Sequence, residues 1–388
     1  MKKPWLICLA LTFCHKPETP APINNNIGTP ISAAVVQQIL AKGINLSNWF
    51  NDYSDIRQYD NRFSASDMQR IKAEGFTYIR LPIGTPVLFF ESTPTQLNQT
   101  NLKRVDAAVQ NAINAGLAVV LDAVHNSNDG FEIKLATASG YADKVAAYWQ
   151  SLATYFSKYD TDKIFFEIYN EPHVASSGAL TISKGWWWPM QLKFIKAIRQ
   201  VTANHYIIAG AEGWNNRHDL VSNTPYPEAN VIYNFHFYDP FLFTHQGADW
   251  TGWAPAKEAR GVPFPSSPAT VDSLIMATSF QDLKDQLSWY GSQRYNIDSL
   301  IRWVTPVADW GKKNNVLVTC NEFGSYKPYA PRQSHLQWVH DMRSALEQQG
   351  VAWAMWEYDE GFGLITYTNN DRTKPVVDEE VLVALGLR

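Results

Sequence analysis

Eight short apolar runs alternate with longer amphipathic segments along most of this chain, and that alternation constrains the fold more than any other feature. The runs are Gly43–Leu46, Tyr78–Leu81, Ala118–Leu121, Ile164–Tyr169, Tyr206–Ala209, Val231–Phe235, Val316–Thr319 and Val351–Met355. Near-continuous apolar runs fit parallel strands buried on both faces. Between them, helices are predicted over Leu102–Ala115, Tyr141–Phe156, Pro189–Thr202, Ser299–Lys313, Ser334–Gln349 and Glu379–Leu385. In the first of these, Leu102, Val105, Val109, Ala112 and Ile113 keep helical spacing, and Gly116 supplies the stop. Strand and helix units in this number predict a single (β/α)8 TIM barrel rather than two ordinary domains. Asp239–Ile297 breaks the rhythm. It is too long for an ordinary connection and rich in aromatics and Pro, and it reads as a long loop insertion after the sixth strand, lying over the barrel mouth.

With 388 residues and 45% hydrophobic content, the chain has enough apolar material for a core of that size. The net charge of −4, with Lys and Arg scattered, argues against nucleic acid or an anionic membrane surface and favours a neutral ligand. Lys2 and Lys3 precede an apolar run from Trp5 to Cys14 that is too short to span a bilayer and reads as an export leader over 1–14. Leu11-Thr12-Phe13-Cys14 resembles the lipobox of a bacterial lipoprotein, with Phe13 where a small residue is expected, so lipidation at Cys14 and ordinary cleavage both stay open. Residues 15–30, with Pro17, Pro20, Pro22, Pro30 and a run of Asn, read as a tether, and the barrel domain runs from 31 to 388. A secreted, periplasmic or outer-surface protein is the expectation. Cys8 falls in the leader, which leaves Cys320 without a disulfide partner and best read as a small buried hydrophobe.

Active sites of such barrels lie at the C-terminal ends of the strands, so the residues that end each run matter most. They are polar or aromatic almost throughout: Asn48 and Trp49, Arg80, His125 and Asn126, Asn170 and Glu171, Glu212 and Trp214, His236 and Tyr238, Glu322, then Trp356 and Glu357. Ile164 to His173 reads Ile-Phe-Phe-Glu-Ile-Tyr-Asn-Glu-Pro-His, and Pro172 stops the ladder because it has no N–H to donate. Val316 to Gly324 reads Val-Leu-Val-Thr-Cys-Asn-Glu-Phe-Gly and places a second Glu at the end of another run.

The Asn-Glu-Pro after a strand resembles the acid/base motif of glycoside hydrolase clan A, and with the second Glu the chain resembles glycoside hydrolase family 5 over nearly all its length beyond the leader. The resemblance implies Glu171 as acid/base and Glu322 as nucleophile. Hydrolysis of a glycosidic bond needs such a pair, one carboxyl to protonate the leaving oxygen and one carboxylate to attack. It also implies a substrate-binding shell of Arg80 in Ile-Arg-Leu-Pro, His125 and Asn126 in Asp-Ala-Val-His-Asn, Asn170, and His236 and Tyr238 in Phe-His-Phe-Tyr. Trp356 matches the family's sugar platform, and Trp49 and Trp214 end other strands, where a flat aromatic can bury the apolar face of a pyranose ring.

An Arg or Tyr beside the nucleophile is expected to lower its pKa, and the nucleophile's charge to raise that of the acid. Arg80 has a plainer reading as the buried partner of Glu167. Trp186, Trp187 and Trp188 cannot all face one way on a helix, so both lining of the cleft and inward packing are expected among them, and Trp250 and Trp253 are candidates for outer subsites. Neither His-Glu-x-x-His nor Cys-x-x-Cys occurs, so no metal or cofactor is expected, with His125 and His236 as the alternative pair of metal ligands.

The resemblance thus implies a retaining endo-β-1,4-glucanase acting on β-glucan. β-Mannanase and β-1,3-glucanase are alternatives on the same scaffold, and Gly43 to Trp49 is similar to the first strand of exo-β-1,3-glucanases as well as of cellulases. A non-catalytic carbohydrate-binding barrel is the alternative of another class.

Overall fold

The computed structural model describes residues 28–51, 56–125, 130–174 and 182–388. The leader, most of the tether and Asn126 lie outside them. Eight parallel strands follow one another around a closed barrel: β1 (Lys42–Asn45), β2 (Tyr78–Gly84), β3 (Ala118–Val124), β4 (Ile164–Glu167), β5 (Ile207–Gly210), β6 (Val231–Phe237), β7 (Leu317–Phe323) and β8 (Ala352–Met355), which pairs back onto β1. This is the (β/α)8 barrel that the alternation predicts.

Side chains alternate in and out along a strand, so residues two apart share the interior. Val120, Phe165, Ile208, Ile232 and Ala354 fill the lower barrel with Tyr78, and Val36 and Leu40 from the helix Ala33–Ile39 and its C-terminal cap close it from below. Gly43 is required there, because a Cβ at that position would fall inside the Tyr78 ring. Two residues further along their strands stand Arg80, Asp122, Glu167 and Asn234, joined by Asn321 of β7, all buried. The interior therefore changes from apolar to polar within one pleat, and this polar ring carries the site.

The outer faces of the strands pack against the helices through a larger apolar cluster that includes Trp149, Trp187, Trp338, Trp353, Phe156 and Met342. β2, β3, β6 and β7 run further than their predicted ranges, since the backbone ladder continues past them: Pro82, Ile83 and Gly84 pair with Asp122, Ala123 and Val124, and His236 and Phe237 with Glu322 and Phe323. Glu322 consequently lies within β7 rather than after it.

The insertion after β6 is a helical unit and not an open loop. It holds helices Phe241–Thr244, Ala254–Glu258, Pro268–Ala277 and Gln281–Gln293 before the barrel helix Ile297–Asn314. Ser267 and Thr270 form a capping box ahead of the third, with Pro at its start. Val271 on that helix and Leu283, Leu287 and Tyr290 on the next are buried in the core, and Gly291 allows the two backbones to touch. Among the described residues, no helix is long and apolar enough to cross a membrane.

Candidate active site

Glu322 is reached through an irregularity in the sheet. The register of β6 on β7 shifts between Phe235 and His236, and that of β7 on β8 shifts between Cys320 and Phe323. Such a shift breaks the strict alternation and re-aims side chains. Consecutive residues Asn321 and Glu322 both reach partners in the barrel mouth as a result: Asn321 donates to Glu167 Oε2 at 2.9 Å, and Glu322 Oε1 accepts from Arg80 Nη1 at 2.7 Å. Glu322 Oε2 accepts the Tyr238 hydroxyl at 2.8 Å.

Arg80 is fully buried and spends its donors on one neighbourhood. Nε and Nη2 grip the two oxygens of Glu167 at 2.8 and 3.0 Å, Nη2 also meets Asn170 Oδ1 at 2.8 Å, and Nη1 meets Asn45 Oδ1 at 3.0 Å. Asp122 lies 3.0 Å from the same guanidinium, and burial pushes its carboxyl well above the usual range. Arg80 is the buried partner of Glu167 and also reaches Glu322; with no exposed surface it does not reach a substrate, which corrects its place in the expected substrate-binding shell. A charge this deep is tolerable only when paired and hydrogen-bonded, which the ring around it provides.

Glu171 follows β4 on a turn in which Asn170 N donates to Ala123 O at 2.8 Å and Glu171 itself adopts a left-handed φ of 52°. A non-Gly residue held there carries on the order of 1–3 kcal/mol of strain. His236 bridges the two carboxyls. Its Nδ1 is 2.8 Å from Glu171 Oε1 and 3.5 Å from Glu322 Oε2. The amides of Asn215 and Asn234 each approach Nε2 at 3.2 Å, so Nε2 accepts and the Nδ1 proton points at Glu171. Burial lowers the His236 pKa to about 4, which leaves the ring neutral near pH 7. The ligand atoms of Glu171, His236 and Glu322 all lie within 4.8 Å of one another.

Burial raises the Glu171 pKa to about 7, opposed chiefly by the Arg80 guanidinium and with a further push from Glu132. Burial also raises Glu322, opposed by His236, Arg80 and the Tyr238 hydroxyl. The expectation that Glu322 would titrate below its ordinary value is thus corrected: desolvation in the barrel outweighs its polar neighbours. Glu171 rises through burial and not through the charge of Glu322. The side chains differ in access, Glu171 being 27% exposed and Glu322 6%.

Among the described residues, Glu171, His236 and Glu322 are also the groups that could converge on a cation, but both oxygens of Glu322 are already engaged by Arg80 and Tyr238. His125 does not join them as a second imidazole; it stacks on Phe131 at 3.5 Å and faces Tyr169 at 6.3 Å.

The tryptophans separate clearly. Trp356 follows β8, is half-buried, and is held by its backbone N–H to Phe323 O at 2.9 Å. Trp214 is 48% exposed on a left-handed turn with Gly213 and Asn215, its ring stacked on His173 at 5.0 Å. Trp250 is 58% exposed, edge-on to Tyr326 at 4.8 Å, whereas Trp253 is half-buried against Phe241.

Trp49 is a correction. It is 3% exposed, stacked on Phe50, and donates Nε1–H to Tyr59 O, so it offers no face to a sugar. Trp187 and Trp188 likewise pack, with Nε1 on Gly210 O and Thr224 O, and Trp186 lies edge-on to Trp187. Cys320 is buried, as expected of a small hydrophobe.

Sequence reasoning missed Asn215, Asn234, Asn321 and Glu132. Asn321 precedes Glu322 in its motif and Asn234 stands two residues before His236, so period-two spacing could have found Asn234. Glu132 carries no such signal.

The family model for cellulase, glycosyl hydrolase family 5, matches residues 32–361. The chain belongs to that family. It is 28% identical over 343 residues to endoglucanase 3 of Fibrobacter succinogenes, a match that covers 84% of this chain and 50% of that one. It is 26% identical over 346 residues to endoglucanase C of Acetivibrio thermocellus, covering 87% and 96% respectively. The chain therefore spans about half the length of the first of these relatives and nearly all of the second. A solved hyperthermophilic endo-β-1,4-glucanase in complex with substrate superposes with a TM-score of 0.72 at 26% identity, covering 92% of this chain and 100% of that one. As a family 5 glycoside hydrolase, the protein carries its paired carboxyls on β7 and just beyond β4.

Proposed function

We propose that the protein is a retaining endo-β-1,4-glucanase in which Glu171 is the acid/base and Glu322 the nucleophile. The carboxylate oxygens within 4.8 Å of each other carry this reading. Retaining glycosidases hold their carboxyls about 5–5.5 Å apart, whereas inverting ones leave about 6.5–9.5 Å for a water between them.

In the first step Glu322 attacks the anomeric carbon while protonated Glu171 gives its proton to the departing glycosidic oxygen. The C–O bond to the leaving sugar breaks as the bond to Glu322 forms. In the second step ionised Glu171 takes a proton from water, whose oxygen displaces Glu322 and restores the original configuration. Arg80 and Tyr238 keep Glu322 oriented and spread its charge. Neutral His236, fixed by Asn215 and Asn234, orients Glu171. The exposed faces of Trp214 and Trp250, with Trp356 hydrogen-bonded through its backbone to the residue after Glu322, suit successive pyranose rings of a neutral glucan.

Residues 1–14 would direct export and 15–30 would tether the exported barrel, with lipidation at Cys14 as the anchored form. Product profiling on cellulosic, mannan and β-1,3-glucan substrates tests the activity: internal cleavage of the first, with release of oligosaccharides in the β-configuration, is expected. Preferred mannan or β-1,3-glucan cleavage would move the substrate, and binding without turnover would leave a carbohydrate-binding barrel.

A further inference from the structure

Glu132 lies on the helix Phe131–Thr137 that follows β3, outside every motif that points to catalysis, yet it is 8% exposed and takes hydrogen bonds from both sides of Glu171. Its Oε2 accepts the backbone N–H groups of His173 at 2.8 Å and Val174 at 2.7 Å. Its Oε1 accepts the Tyr169 hydroxyl at 3.2 Å and lies 3.3 Å from His173 Nδ1. That same Nδ1 is 2.7 Å from Glu171 O, and the His173 ring supports Trp214, whose N–H donates to Pro172 O at 3.3 Å.

One buried carboxylate thus gathers the strand end at Tyr169 and the chain at 173–174, with the left-handed Glu171 between them. Pro172 gives this turn no N–H of its own, and a strained residue persists only where its surroundings over-determine it. A buried carboxylate, in turn, is tolerable only with several donors, and here the turn supplies them.

We propose that Glu132 is the positioning residue for the acid/base, fixing the turn from Asn170 to Val174 that aims Glu171 at the glycosidic oxygen. The inference rests on the reading of Glu171 as acid/base. Glu132 acts on Glu171 through that turn, by way of the His173 and Val174 N–H groups, the His173 ring and the Tyr169 hydroxyl. A misplacement of about 1 Å in a catalytic group costs about 10²-fold in rate. The loss should appear only where the leaving group needs a proton.

The test is kcat/KM of the full chain on phenyl and 2,4-dinitrophenyl β-cellobioside for the wild type, Glu132→Gln, Tyr169→Phe and Glu171→Ala. In Glu132→Gln the amide oxygen can keep the His173 and Val174 N–H groups, but the NH2 in place of Oε1 faces the Tyr169 hydroxyl and His173 Nδ1, so that side of the brace is lost with the shape kept. A loss of about 10²-fold on the phenyl substrate is expected, with near-wild-type kcat/KM on the dinitrophenyl one, whose leaving group departs unprotonated. Tyr169→Phe removes one donor without touching charge, and should give a smaller loss with the same dependence; it carries the test if Glu132→Gln does not fold. Equal losses on both substrates, or none, in these variants while Glu171→Ala shows the leaving-group dependence would overturn the role of Glu132 alone. A Glu171→Ala variant without that dependence would overturn the acid/base reading and this inference with it.

Discussion

Tyr238 gives its hydroxyl hydrogen to Glu322 Oε2 at 2.8 Å, opposite the Arg80 contact on the other oxygen. This bond favours the ionised carboxylate, so Tyr238→Phe should raise the Glu322 pKa and move the acidic limb of the pH profile upward. A hydrogen bond to a charged group contributes about 1.5–3 kcal/mol, which corresponds to roughly ten- to hundredfold in kcat/KM. An unmoved acidic limb in a folded Tyr238→Phe protein would show that the hydroxyl does not act on Glu322.

Glu171→Ala and Glu322→Ala should each abolish glucan hydrolysis while the far-UV and near-UV circular dichroism stay those of the wild type. General acid–base catalysis contributes about 10²–10⁴-fold, and the acid variant should fall at least that far on an unactivated glucan. Wild-type turnover in either purified variant excludes the assigned role.

In the proposed mechanism Glu171 must be protonated and Glu322 ionised. With Glu171 at about 7 and Glu322 above its ordinary value, kcat/KM should follow a bell that declines above about pH 7 as Glu171 loses its proton, and at acid pH as Glu322 gains one. Chelation with EDTA should leave the profile unchanged; a loss restored by a divalent ion would instead place a cation among Glu171, His236 and Glu322.

Glu357 is buried, accepts the Ser47 hydroxyl, and is pushed up to about 8 by burial, from an ordinary value of 4.5. Between those values the unfolded chain has released a proton that the folded one still holds, so its contribution to stability is full below about 4.5 and is lost as pH rises through about 8. Glu357→Gln should flatten that decline in denaturant midpoints measured across this window. An unchanged slope would show that Glu357 is not protonated in the fold.

The tryptophans predict different losses. Trp356→Ala should lower kcat on short and long oligosaccharides alike, while Trp250→Ala should raise KM mainly on long ones, since remote contacts equal in ground and transition states act on binding. Trp49→Ala should instead cost about 3–5 kcal/mol of stability, measured by chemical denaturation, through the cavity it leaves. Length-independent effects of Trp250→Ala would remove it from the cleft.

Local chemistry was enough for the barrel and for the two carboxyls. Apolar runs separated by amphipathic helices leave few ways to bury both faces of the strands, and a Glu just before Pro172 or two residues before Gly324 at a strand end announces itself in a handful of neighbouring residues. What lies within a few positions along the chain is legible because propensity and periodicity act over that range. Closure of the barrel decided the rest. Arg80, Asp122, Glu167, Asn234 and Asn321 come from five strands and become one ring only when the registers lock, and the shifts beside His236 and Cys320 turn Glu322 inward against strict alternation. The same closure buried Trp49 and placed Trp214 on His173, two tryptophans that looked alike at the ends of their strands. It also raised the carboxyls of Glu171 and Glu322, because desolvation is a property of the surrounding volume, which no stretch of sequence contains.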